Sequence, residues 1–170
     1  IDANGAVREF DTYESVMEYW FLLRKDLYIA RLERQTIILE LKISYYSEIL
    51  RFIYMDEKKE INIDKKKKEE QDSILENNKF IKFNKTNLLT PRYIPIAQLR
   101  DFILIHKVSY KYIYDITKAM TEASAIEKME QNLKDLKTEL ELLRQKTWAS
   151  VWKAELEALD KIIKRGIETK

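Results

Sequence analysis

The chain has 170 residues, 45% of them apolar, which is enough for one domain with a core of its own; its 35% charged fraction exceeds the usual quarter and suits long exposed helices. Thirty-one basic against twenty-nine acidic side chains leave a net charge of +2, which excludes a general electrostatic glue for nucleic acid and confines any DNA contact to a local patch. The absence of cysteine removes disulfide scaffolds, thiolate zinc sites and cysteine nucleophiles together, and fits a reducing compartment.

Two glycines and two prolines leave tight turns and sheets little to work with, so the sequence predicts an all-α chain. No apolar run approaches the ~18 residues that a membrane-spanning helix needs, and Ile1-Asp2-Ala3-Asn4 is no signal peptide. A start without methionine reads as a piece of a longer protein, with residues 1–12 as a linker from an upstream domain.

Asp11 or Thr12 is placed to cap a helix over 13–55. Within it Val16, Trp20, Leu23, Leu27, Ala30, Ile37 and Leu41 step by threes and fours, with Arg34 the one residue out of character. A second seam, Ile126, Met129, Leu133, Leu136, Leu140 and Leu143, keeps that spacing throughout a helix assigned to 121–146. An average step of about 3.5 residues is the coiled-coil period, and the two seams reach about 39 and 27 Å at 1.5 Å per residue. They predict a long antiparallel hairpin.

Between the seams, residues 56–120 form the insert, a small, mostly helical globular tip. Ile61-Asn62-Ile63 suggests a short extended piece, and Asp64 a cap for a helix through Leu75. The lysines 65–68 would spread around that helix as a solvated face. Residues 77–87 read as a loop. After Pro91 and Pro95 come Ile96, Leu99, Phe102, Ile103, Ile105 and Tyr110, the densest apolar cluster, as one or two short helices. Ser124 with Glu127 makes a capping box for the returning helix, and a last helix over 147–170 runs through Trp152, Leu156, Leu159 and Ile162 with Gly166 as its stop.

Chemistry-bearing patterns are sparse. His106, the single histidine, has no carboxylate at a spacing that would orient it, which weighs against a proton shuttle or a phosphotransfer bundle and leaves a structural role. No glycine-rich phosphate loop, Asp-x-Asp pair or His-x-x-x-His spacing occurs. The ten tyrosines and three tryptophans fall mostly at core spacing rather than as a base-stacking row.

The order Phe10-Asp11-Thr12, Trp20-Phe21 with Leu23-Arg24, Tyr28, Arg31 and then Arg51-Phe52-Ile53 resembles the first coiled-coil helix of type IIA DNA topoisomerases. Tyr112-Ile113-Tyr114-Asp115 resembles the stretch before the returning helix, and Lys146-Thr147 with Val151-Trp152-Lys153-Ala154-Glu155-Leu156 resembles the Leu-Trp-x-x-Asp-Leu signature after it. The family's Pro-Leu-Trp appears here as Thr117-Lys118-Ala119, and Trp148 stands where a proline is usual. The Lys-, Ile-, Asn- and Tyr-rich composition looks like the enzyme of a large cytoplasmic DNA virus, asfarvirus-like.

The resemblance implies the C-gate, an exit gate in which paired tips close the cavity that releases a transported DNA duplex. It implies a homodimer through the tip, with Ile96, Leu99, Phe102, Ile103 and Tyr110 as the contact, double-stranded DNA as a partner of the parent enzyme, and no membrane. It places the work in the host cytoplasm for a viral enzyme or the nucleus for a cellular one. The parent would be an ATP-dependent isomerase using ATP and Mg2+, while this stretch holds no catalytic, cofactor or metal residue. Arg92-Tyr93 mimics the family's catalytic dipeptide, but that tyrosine lies upstream of the first coiled-coil helix, so Tyr93 is assigned a structural role. Arg24, Lys25, Arg31 and Lys42 would give the arm a mild positive face. The alternative from another class is a stand-alone helical adaptor or tether that binds a partner protein.

Overall fold

The computed structural model describes residues 5–89 and 94–168, with side chains to residue 165. Tyr93 therefore lies outside the described residues. Seven α-helices follow one another among them: α1 (Tyr13–Glu57), α2 (Lys68–Asn77), α3 (Lys85–Leu89), α4 (Ile96–Leu104), α5 (Lys111–Tyr114), α6 (Ala123–Gln145) and α7 (Trp148–Glu168), with a short 3-10 helix at Lys118–Thr121 before α6. The all-α expectation holds. The residues form two compact units, 1–33 with 143–170, and 34–142.

Helix α1 runs 45 residues because nothing in it breaks a helix and both ends are satisfied. Thr12 caps it, its Oγ1 accepting from the Ser15 amide at 3.2 Å, as its spacing predicts. At the far end the amides of Lys59 and Glu60 donate to the carbonyls of Asp56 and Met55 at 2.9 and 2.8 Å, with Lys59 at φ 59°. This is a Schellman closure with lysine in the left-handed position where glycine is usual. Helix α2 ends the same way: Lys79 has φ 57°, and the amides of Lys79 and Phe80 reach Glu76 and Leu75.

Three expected helix ends are corrected. Asp64 does not cap α2; its amide donates to Asn62 Oδ1 at 2.9 Å in a local turn, and α2 begins only at Lys68. Helix α6 starts one residue before Ser124, with the Ala125 and Ile126 amides bonded to the Glu122 carbonyl, so Ser124 sits inside the first turn. Gly166 does not stop α7, which continues to Glu168, since one glycine costs an exposed helix only about 1 kcal/mol. Residues 61–63 form no strand; the β-pairing among the described residues is one isolated bridge, Phe83 to Ser109.

The 34–142 unit contains the main core. Helix α1 contributes Ile37, Leu41, Tyr45 and Ile49 at steps of four, then Phe52 and Ile53 three and four residues on, and the insert contributes Leu75, Phe83, Leu88, Leu99, Ile103 and Tyr112, each of these six at most 2% exposed. Tyr45, Phe83 and Tyr112 form a triangle with centroid distances of 5.1–5.6 Å. The phenols of Tyr110 and Tyr112 stay satisfied by donating to the carbonyls of Phe80 and Ile81. Asn84 ties two helices together: its Oδ1 accepts from the Asn87 amide in α3, while its amide nitrogens donate to Ile103 and His106 carbonyls at the end of α4.

In the other unit α7 packs on the first part of α1 through aromatic rings. Thr147 and Ser150 cap α7 reciprocally: Thr147 Oγ1 accepts from the Ser150 amide at 3.1 Å and Ser150 Oγ from the Thr147 amide at 3.0 Å.

Candidate interaction surfaces

In the first unit, Trp152 is 8% exposed and lies between Tyr28, stacked at 5.6 Å, Phe21 at 5.2 Å and Trp20 at 6.0 Å. Three residues on, one turn of α7, Glu155 accepts the Tyr28 hydroxyl and pairs with Arg31 at 2.7 Å. The Tyr28 hydrogen bond, then Arg31, hold the Glu155 carboxyl below its usual pKa, and the same bond raises the Tyr28 phenol. Arg24 lies 5.3 Å from the centroids of both Trp20 and Tyr28, and Lys25 lies 5.4 Å from that of Trp148. Three of the four cations expected to face solvent along α1 are thus spent on ring faces and a carboxylate, and Lys42 is half-buried.

Upstream, Phe10 meets Tyr19 at 5.5 Å, with the Arg8 guanidinium 4.5 Å from the Tyr19 centroid. The unit leaves much apolar surface open: Met17, Phe21 and Leu22 border a cleft of about 490 Å3, and Leu156, Leu159, Ile162 and Ile163 are each more than half exposed on α7.

The coiled-coil seam residues are unevenly placed. Val16, Trp20 and Leu27 are exposed, Leu23 and Ala30 half-buried, and Leu140 alone of the second set is buried, with Ile126, Met129, Leu133, Leu136 and Leu143 half-buried. The deepest part of α1 lies beyond the first seam, at Tyr45 to Ile53. Arg34, the exception in that seam, has a job: its guanidinium donates to the Ile94 carbonyl at 2.6 Å, just before α4. The Arg51-Phe52-Ile53 motif also gains a physical reason. Arg51 stacks on Phe80 at 3.9 Å, pairs with Glu48 at 2.8 Å and donates to the Asn78 carbonyl at the end of α2, while Phe52 meets Phe80 edge-on and Ile53 enters the core.

The five residues expected to make a two-fold contact divide. Leu99 and Ile103 are fully buried and Tyr110 is 2% exposed within this chain's own core, so in this fold they present almost no surface to a second molecule. An apolar cluster dense enough to look like an interface is consumed in closing α4 over α1. Ile96 and Phe102 remain half-buried. Beside Phe102, whose ring lies 4.9 Å from that of exposed His106, Ile105 is 65% exposed, a residue that helical spacing alone assigned to packing. Lys65 to Lys68 are all exposed, with Lys65 at φ 57° in the turn before α2. Among the described residues no three His, Cys, Asp or Glu side chains gather to hold a metal ion, and no helix is long and apolar enough to cross a membrane.

The chain aligns over 99% of its length with DNA topoisomerase 2 of African swine fever virus at 28% identity across 176 residues, and over 93% with a putative mitochondrial DNA topoisomerase 2 of Caenorhabditis elegans at 27%. It spans only 14% and 12% of those proteins. The fold is similar to part of a crystal structure of the DNA-binding, cleavage and re-ligation domain of Plasmodium falciparum topoisomerase II, with a TM-score of 0.70 and 21% identity over 98% of this chain and 23% of that one. No protein-family model matches. The resemblance to a region of type IIA DNA topoisomerases thus extends over nearly the whole chain.

Proposed function

We propose that this chain is the coiled-coil and C-gate region of a type IIA DNA topoisomerase. The observation that carries the reading is the end-to-end correspondence with the viral enzyme, joined to an all-α fold similar to the Plasmodium one. In this reading α1 and α6 pair as an antiparallel arm, and the helices between them form the tip that meets its copy in a homodimer. The work is mechanical. The tip contact holds two subunits together while the rest of the enzyme passes one DNA duplex through a double-strand break, then opens to release it. Strand scission, ATP and Mg2+ belong to other parts of the parent. The composition favours a viral parent acting in host cytoplasm; a cellular one would act in the nucleus.

The two-fold contact must use what the fold leaves accessible. On α4, Leu99 and Ile103 face the core, so half-buried Phe102 on the flank of the helix and exposed Ile105 just past its end are the apolar residues available to a second tip. A contact of about 1,600 Å2 in total remains reversible, because association and side-chain ordering offset much of the burial. The test is molar mass by sedimentation or light scattering across a micromolar series. A two-fold mass that grows with concentration and is lost in Phe102→Asp and Ile105→Asp supports the gate. A strict single-chain mass at every concentration overturns a self-sufficient tip contact and favours the adaptor.

A further inference from the structure

Within the 34–142 unit, α1 and α6 enclose an open slot of about 470 Å3, lined by Ser47, Leu50, Arg51 and Tyr54 on one side and Glu130, Leu133, Lys134 and Lys137 on the other. Its chemistry is lopsided. Leu50, 6% exposed, and half-buried Leu133 make an apolar floor. The one carboxylate of the lining, Glu130, is already engaged, accepting the Tyr54 hydroxyl at 2.6 Å. Arg51 is engaged too, by Glu48 and the Asn78 carbonyl. Lys134 and Lys137, one helical turn apart and both exposed, have no ion pair among the described residues. The slot thus presents two cations without an ion pair beside an apolar floor, against one carboxylate that is held in place by the Tyr54 hydroxyl.

We propose that this slot docks an acidic amphipathic segment of a partner protein, which seats one or two large aliphatic or aromatic side chains over Leu50 and Leu133 and sets its carboxylates against Lys134 and Lys137. The size suits such anchors, since sites of roughly 300–1,000 Å3 accept groups of that bulk. Charge complementarity selects the partner: an amphipathic helix laid in a groove reads its apolar anchors for affinity and its flanking charges for specificity. Duplex DNA fits poorly, because binding phosphates takes a row of cations rather than two beside an apolar floor. The proposal does not depend on the gate reading.

The test uses three fluorescein-labelled peptides of about 16 residues, four to five helical turns, with the same Leu and Phe spacing and with Glu, Gln or Lys between. Binding is followed by anisotropy and by backbone amide shifts. The Glu peptide should bind at least about tenfold more tightly than the Lys peptide, weaken with salt and move the resonances of Ser47, Leu50, Leu133 and Lys137. The exposed double variant Lys134→Glu/Lys137→Glu should reverse the preference with its circular dichroism unchanged, whereas Lys65→Glu/Lys66→Glu should not. Equal binding of the Lys peptide, shifts confined to other residues, or a short DNA duplex moving the same resonances would overturn the proposal. So would slot resonances that move on dilution without peptide, which would assign the slot to a second copy. Because Lys134→Glu/Lys137→Glu leaves Phe102 and Ile105 intact, the concentration dependence of the mass should not change, and the two readings fail separately.

Discussion

Replacing Trp152 by alanine tests the aromatic junction where α7 meets α1. The indole is 8% exposed and touches the rings of Trp20, Phe21, Tyr28 and Trp148 at centroid distances of 5.2–6.1 Å. Truncating a buried Trp costs about 3–5 kcal/mol, with each lost ring pair accounting for roughly 0.5–1.5. Trp20 and Phe21 are 45% and 44% exposed, so water can enter the gap and its walls can relax, which places the expected cost near 3 kcal/mol. With a urea slope of about 2 kcal/mol per molar, the midpoint should fall by about 1.5 M. All three tryptophans belong to this unit, so the emission of Trp20 and Trp148 follows it specifically, while hydrogen exchange at α4 and α5 follows the 34–142 unit. Trp152→Phe, which keeps a ring against Tyr28, should recover more than half of the loss. A midpoint shift in Trp152→Ala below about 0.5 M, or about 1 kcal/mol, would show that the junction contributes little and refute the reasoning.

Leu99→Ala, at a fully buried site, should cost about 3–5 kcal/mol by urea denaturation followed in the tyrosine near-UV circular dichroism; a loss under 1 would mean α4 is not seated on the core. Thr147→Ala, which deletes one side of the reciprocal cap of α7, should cost about 1 kcal/mol in the same tryptophan-detected unfolding, and an unchanged midpoint would discount that cap. Lys79→Gly should raise stability by up to about 1 kcal/mol, because the left-handed φ of 57° strains any side chain; a decrease would show that the lysine contributes more than its backbone costs. Burial pushes the Tyr112 phenol far above its usual range. The unfolded chain ionises this tyrosine near pH 10 while the folded one keeps its proton, so its contribution is complete below about pH 10 and falls by about 1.4 kcal/mol per pH unit above it. Phenolate absorbance should therefore report a tyrosine that ionises only as the fold is lost; full ionisation near pH 10 with intact circular dichroism would contradict it.

Helix content, the extent of α1 and its Thr12 cap were legible because they depend on local chemistry: no breaker across 45 residues, a short side chain that can accept from first-turn amides, and an apolar period near 3.5. The resemblance was legible for a related reason, since its motifs sit where α1 and α7 make side-chain contacts that few residues can replace, as Arg51-Phe52-Ile53 and Tyr28 with Trp152 show. Helix ends lacking the usual signal were not. Lys59 and Lys79 occupy positions where glycine would announce a stop, and only the return of their amides to α1 and α2 reveals the closure.

Periodicity states that a face is apolar, but not what covers it. Leu99, Ile103 and Tyr110 formed the most interface-like cluster by sequence, yet they are spent inside the chain, while Ile105 stays open. Arg34 looked like a flaw in a seam until the Ile94 carbonyl was found beside it, some sixty residues away in sequence. Likewise Lys134 and Lys137 belong to an ordinary solvated helix face until α1 supplies a floor and Tyr54 takes up Glu130. Local propensity and spacing are properties of neighbours along the chain, and the sequence determines them by itself. Which apolar atoms are withdrawn from water, and which charges are left without a partner, depends on contacts between residues far apart in sequence, and only the tertiary structure decides those.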